Sequence, residues 1–287
     1  MSFFKSTKRP KIGLALGGGS AKGLAHIGVI KILEQNNIPI DFIAGTSVGS
    51  MIGGFYAFSK NISEIEDIAL KNNFNEYFSM FFDPVLSQGI IKGGKVVKFI
   101  EKYIGQTDFE SLKIPFACTT TNIMDGEAII KNTGKVAPAI RASISIPVFF
   151  QPVEQDGKYL TDGGMSVPVP VQVVRDMGAD IVIAVNLYKN YIKTNATKPG
   201  IFRVADNSTD ILLHHLANEN VKTADIVISP KVEDFSWECL FTPEGSNEVI
   251  LAGEIAAEEK INEIKRVMTS PKNPWWKETV RKFLDLK

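Results

Sequence analysis

Gly45-Thr46-Ser47-Val48-Gly49 sets a serine among small residues at the end of a short apolar run, Phe42 to Ala44, with a glycine-rich, helix-like segment after it. In a strand–turn–helix setting this spacing bends the backbone sharply and leaves the serine Oγ clear of the strand, where it can attack a carbonyl. The N-terminus of the following helix would lie beneath it. A second stretch, Gly17-Gly18-Gly19-Ser20-Ala21-Lys22-Gly23, follows the apolar run Ile12 to Leu16 and opens another helix. Successive backbone N–H groups at such a point form a concave donor site, suited to the negative charge that develops on an acyl oxygen. Lys22 would add positive potential at its rim. A third stretch, Asp162-Gly163-Gly164, ends a strand and exposes a carboxylate beside two glycines. Desolvation can raise such a group's pKa until it serves as a base near neutral pH.

Each stretch has competing readings. A dinucleotide fingerprint needs a third glycine where Lys22 stands, and the acid expected about 20 residues on gives way to the serine turn. A phosphate-cradling loop has its spacing from Gly18 to Gly23, but Leu24-Ala25 follows where Lys-Ser/Thr belongs. A tight turn that needs small residues for packing alone remains open for the glycine run, as plain turn chemistry does for Asp162-Gly163-Gly164. The three histidines offer little. His26 lies on the apolar first helix, and His214 and His215 adjoin each other in the amphipathic stretch Ile211 to Leu216; such positions are read as packed or solvated rather than catalytic.

The elements that must carry these residues follow an α/β plan. Strands are expected at 12–16, 38–44, 114–121, 181–185 and 225–229, with Asp125-Gly126 and Asp156-Gly157 as hairpin turns. Helices are expected at about 21–35, after Ser47, from Ser63-x-x-Glu66 as a capping box, around Val96 to Tyr103, at 136–143, 204–220 and 248–268. The first two strands form a βαβ unit, so the glycine loop and the serine turn emerge together at the carboxyl edge of the sheet, where open α/β folds bind ligands. The aromatic piece Phe74 to Phe82 and the turn-rich stretch to Lys95 read as a cap or lid (74–95) or as a satellite core.

Composition is that of an ordinary globular chain: 287 residues, 44% hydrophobic, 22% charged and a formal net charge of zero. That balance gives no electrostatic grip on nucleic acid. Cys118 and Cys239 are too far apart in sequence to suggest a pair, and with three histidines they build no metal-ligand cluster. The basic start, Met1 to Pro10, leads into no adequate hydrophobic core of a signal peptide, and no apolar run of about 18 residues suggests a membrane span. A cytoplasmic protein is expected, with contact at a membrane surface left open.

Taken jointly, the glycine loop, the Gly45–Gly49 turn, Asp162-Gly163-Gly164 and the block Ala142 to Val153 resemble the patatin-like phospholipases, bacterial single-domain type, related to the esterase domains of neuropathy-target-esterase proteins. The resemblance spans about Lys11 to Asn186. It implies a three-layer α/β/α fold with a mostly parallel central sheet, expected over residues 10–270. The remaining residues, 271–287, pair aromatic with basic side chains and read as a tail that docks on its own domain or a second subunit or lies in a membrane interface. The resemblance implies that Ser47 attacks and Asp162 acts as base and then acid, with no histidine. Gly17, Gly18, Gly19, Ser20 and Lys22 would form the oxyanion site. The substrate would be a lipid or other acyl ester, with no metal or organic cofactor, and a homo-oligomer stays open. The rival reading is a catalytically silent lipid-binding or scaffold protein on the same fold.

Overall fold

In the computed structural model the described residues are 9–71, 91–189, 200–235, 238–239 and 242–269. The stretch 74–95, read as a cap or lid or as a satellite core, falls mostly outside them, as does the tail. Strand β1 (Ile12–Leu16) runs parallel to β2 (Phe42–Thr46) on one side and to β7 (Ile181–Val185) on the other; β3 (Phe116–Asn122) and β8 (Ile226–Ile228) extend this parallel core. Strands β4 (Ala128–Lys131), β5 (Val153–Gln155) and β6 (Lys158–Asp162) add antiparallel pairings, and the path through the sheet is β5-β6-β3-β2-β1-β7-β8 with β4 on β3.

The sequence Ile-Gly-Leu-Ala-Leu in β1 shows why the sheet has two unlike faces. Side chains alternate sides along a strand. Ile12, Leu14 and Leu16 therefore fall on one face with the larger core, and Gly13 and Ala15 on the other. The large face is covered by α1 (Ala25–Gln35), α2 (Val48–Ser59), α3 (Ile62–Lys71), α4 (Gly94–Ile104), α5 (Val136–Ser143) and α8 (Pro243–Thr269). The small face, with Ala44, Ala117 and Ala184, packs against α6 (Val171–Asp176) and the end of α7 (Ile201–Asn220). A Cβ on Gly13 would come within 1.9 Å of Val174 Cγ1, so α6 can lie this close only because the position is bare. Helices on both faces of a mostly parallel sheet make the three-layer α/β/α fold expected from the sequence.

Some boundaries differ from expectation. The second strand starts at Phe42 rather than Ile38 and runs on through Thr46 into the serine turn. Helix α3 begins at Ile62, and its entry is organised by Asn61, whose Oδ1 accepts from the Ser63 amide at 3.2 Å while its Nδ2 donates to Glu64 at 3.0 Å. Ser63 thus lies inside the helix, and the capping role sits two residues earlier. The stretch from Ser20 to Leu24 is a 3₁₀ turn, with the α-helix starting only at Ala25.

Candidate active site

One edge of β3 explains how residues far apart in sequence meet. Thr120 and Thr121 pair with both β4 and β6, and Cys118 and Thr119 with both β4 and β2. A strand residue has one neighbour on each side, so β4 occupies one edge and β2 and β6 share the other. Parallel β2 ends with Thr46 opposite Thr119; antiparallel β6 arrives from the other direction and ends with Asp162 opposite Thr120. Two strands thus meet end to end along β3, one residue apart, and Ser47 is the next residue after Thr46.

Ser47 is 6% exposed and has φ 55°, ψ −126°, a conformation that side-chain-bearing residues rarely adopt. Its surroundings hold it there. Its carbonyl accepts from the Ser50 hydroxyl at 2.6 Å and from the Ser50 and Met51 amides at 2.8 and 3.2 Å, and its own amide donates to Ser143 Oγ at 3.0 Å. The flanking glycines are required by contact: a Cβ on Gly45 would sit 2.4 Å from Gly49 O, and one on Gly49 would sit 2.3 Å from Leu16 O.

Asp162 is also buried, at 7% exposed. Its amide donates to Ser145 O at 2.9 Å and its Oδ1 accepts the Gly164 amide at 2.7 Å, which fixes the carboxyl plane. Oδ2 is buried with no hydrogen-bond partner of ordinary geometry among the described residues. Burial raises the carboxyl to about 6, against the lowering effects of the nearby Ser47 hydroxyl and the Gly164 amide. No Ser47–Asp162 hydrogen bond of ordinary geometry forms, although the Ser47 hydroxyl acts on the carboxyl. Gly163 is bare for contact too, since a Cβ there would fall 2.2 Å from Thr119 Oγ1.

The glycine loop lies against the serine turn: a Cβ on Gly18 would be 3.4 Å from Ser47 Cβ. Two of its amides are already committed. Gly17 N–H donates to Val185 O at 3.1 Å and Gly18 N–H to Pro168 O at 2.9 Å, so neither is free to receive an oxyanion. The Gly19 and Ser20 amides make no hydrogen bond among the described residues. Both lie in positive-φ conformations, 153° and 52°. The amide of Val48, first residue of α2, is likewise left over at a helix N-terminus. Of the N–H groups from Gly17 to Ser20, those of Gly19 and Ser20 are left uncommitted among the described residues, as is that of Val48 in the turn. Lys22 is half-buried. Burial lowers its pKa, while Asp210, Glu233 and Asp234 act to raise it. Its charge is thus answered by carboxylates on α7 and in the segment after β8.

The chain matches the family model described as patatin-like phospholipase over residues 14–175. It belongs to the patatin-like phospholipase family. Among its relatives, uncharacterized NTE family proteins of Mycobacterium tuberculosis and Mycobacterium bovis are 35% identical over 184 residues, 64% of this chain and 51% of theirs. The lysophospholipase NTE1 of Debaryomyces hansenii is 36% identical over 181 residues, 61% of this chain and 12% of that protein. The chain therefore spans about half the length of the mycobacterial proteins and far less of the yeast one. Among solved structures, VipD from Legionella pneumophila aligns with a TM-score of 0.47 at 13% identity, covering 89% of this chain and 67% of VipD.

Among the described residues no histidine of this patatin-like chain hydrogen-bonds Ser47 or Asp162: His26 bonds Gly17 O, and His214 Nδ1 contacts Tyr188 O at 2.7 Å. Among the described residues no three His, Cys, Asp or Glu side chains gather as a metal site, and no helix is long and apolar enough to cross a membrane. Sequence reasoning missed several neighbours of the site. Thr46 and Thr119 join their hydroxyls at 2.7 Å beneath the turn, and Thr46 Oγ1 also donates to Val167 O at 2.7 Å. Tyr188 brings its hydroxyl within 3.1 Å of a Cβ built on Gly18; burial raises its pKa, as do the charges of Asp162 and Asp210. Thr46 and Ser143 lie in stretches already singled out, Gly45–Gly49 and Ala142–Val153, but nothing local distinguishes Thr119 or Tyr188 from ordinary strand and loop residues.

Proposed function

We propose that the chain is a lipid acyl-ester hydrolase that works through Ser47 and Asp162 with no histidine. The observation that carries this reading is the meeting of β2 and β6 on one edge of β3, which sets an elbow serine beside a buried carboxyl with one uncommitted oxygen. Asp162 takes the Ser47 proton as Oγ attacks the acyl carbonyl. The carbonyl oxygen becomes an oxyanion held by the amides of Gly19, Ser20 and Val48, at no cost of reorganisation during reaction. Collapse of this intermediate breaks the ester C–O bond, and the leaving alcohol takes the proton back from Asp162. Water then gives a proton to Asp162 and attacks the acyl-enzyme; release of the acid returns that proton to Ser47. The family match and the relatives' names, among them a lysophospholipase, support lipid esters as the substrate class.

The test is turnover of a p-nitrophenyl ester and of a panel of phospholipids and lysophospholipids. Ser47→Ala and Asp162→Asn each lower kcat by about 10³-fold or more with folding intact. A tenth of wild-type kcat kept by either variant refutes the mechanism. A fluorophosphonate probe labels Ser47 in the active protein; absence of both labelling and turnover points to a silent lipid-binding protein instead. The double variant His214→Ala/His215→Ala keeps its activity.

A further inference from the structure

His26, the second residue of α1, is fully buried, and its Nε2 lies 2.7 Å from Gly17 O. A carbonyl oxygen only accepts, so Nε2 carries the proton and Nδ1 is a bare lone pair. That Nδ1 is buried with no hydrogen-bond partner among the described residues. Burial lowers the ring to about 4, against the raising effect of the Gly17 bond, so the ring is a fixed neutral donor at ordinary pH. Packing alone is poorly served by such a side chain, because an apolar one would fill the space without stranding Nδ1. What an apolar side chain lacks is the N–H that reaches Gly17.

The peptide joining Gly17 to Gly18 is held on both sides, its oxygen by His26 and its N–H by Pro168 O at 2.9 Å. A peptide is planar, so these two bonds fix the plane from which the chain turns towards Gly19. The same oxygen borders the serine turn, since a Cβ on Gly49 would come within 2.6 Å of it. We propose that His26 is a positioning residue: its Nε2–H locks the Gly17–Gly18 peptide and thereby aims the free amides of Gly19 and Ser20 at the acyl carbonyl on Ser47. This rests on the hydrolase reading above.

The test compares the full chain with His26→Leu, His26→Gln and His26→Asn. The Gln amide nitrogen reaches about as far as Nε2 and can donate to Gly17; the Asn amide is too short. In ¹⁵N-labelled protein the wild-type ring shows the Nε2–H tautomer. The amide resonances of Gly18 to Ser20 move in the Leu and Asn variants and return towards wild type in the Gln variant. In p-nitrophenyl ester turnover, kcat falls about 30-fold or more in the Leu and Asn variants with KM within about threefold, and the Gln variant recovers to within about fivefold of wild type. An Nδ1–H tautomer, unmoved loop resonances, or a kcat loss that Gln does not rescue overturns the proposal. If the Leu variant fails to fold, the contrast between Gln and Asn carries both readouts. If the resonances follow the expected order while wild type turns over no ester, the loop-fixing role stands and the hydrolase reading falls.

Discussion

On the proposed mechanism, Asp162 couples activity to stability through a single proton. A carboxyl that serves as the base must be ionised, so kcat/KM is expected to rise with pH through about 6, where burial has brought its pKa. Stability runs the other way. The folded pKa of about 6 lies above the ordinary 3.8, so the folded chain binds this proton more tightly than the unfolded one, and the group's contribution falls as pH climbs from about 4 to about 6. Asp162→Asn removes a buried charge at neutral pH. Thermal unfolding at pH 8 should show the variant more stable than wild type, by up to about 3 kcal/mol, with the gap closing near pH 4. An Asn variant less stable at pH 8 would mean that the carboxylate is better solvated than its burial indicates. At this scale Ser47 and Asp162 could be read from sequence, because each sits in a short pattern with glycines beside it. Thr119 and Tyr188 could not, because their contacts depend on position in the fold and carry no local signal, and Ser143 stood out only as part of the block Ala142 to Val153.

Among the elements, the two glycine-bearing turns differ from the hairpins in what their glycines do. Gly49 lies in the first turn of α2 and is bare because that turn rests on the Leu16 and Gly17 carbonyls. Gly49→Ala should cost at least about 3 kcal/mol and depress kcat sharply, measured by denaturant unfolding and ester turnover. Gly19 is constrained twice, by φ of 153° and by Leu187 Cδ1 at 2.8 Å from its would-be Cβ. Gly126 has φ of 79° with open space around it, so Gly126→Ala should cost only about 1–2 kcal/mol and leave kcat unchanged. The Asp125-Gly126 and Asp156-Gly157 hairpins were legible because such turns depend on local backbone conformation. In the second, positive φ at both Asp156 and Gly157 agrees with that reading. The end-to-end meeting of β2 and β6 on β3 was not legible, since it is a matter of long-range register. Strand β2 begins only at Phe42 although Ile38 and Ile40 look like strand residues, because Ile38 packs into the larger core ahead of the strand.

Across the whole molecule, helices α1 and α8 touch backbone to backbone. A Cβ on Gly28 would fall 2.0 Å from Ile250 O, and one on Gly253 would fall 2.0 Å from Ala25 O. The sequence showed α1 as apolar and α8 as amphipathic, but not that the two were partners. Gly253→Val should lower the melting temperature by many degrees and reduce ester turnover as well, because α1 also carries His26. Loss of stability with unchanged kcat in the folded fraction would mean that α1 shifts without moving the donor loop.

The family match ends at residue 175, yet β7 and α8 lie beyond it. Strand β7 is the neighbour of β1 in the middle of the sheet, and its Val185 carbonyl receives the Gly17 amide. A fragment trimmed to the matched segment, residues 14–175, would carry both Ser47 and Asp162. It would also have a severed sheet edge where an interior strand belongs, and a first helix stripped of its cover. The smallest piece able to close this sheet around the Gly17 loop is therefore larger than the segment that the family model matches.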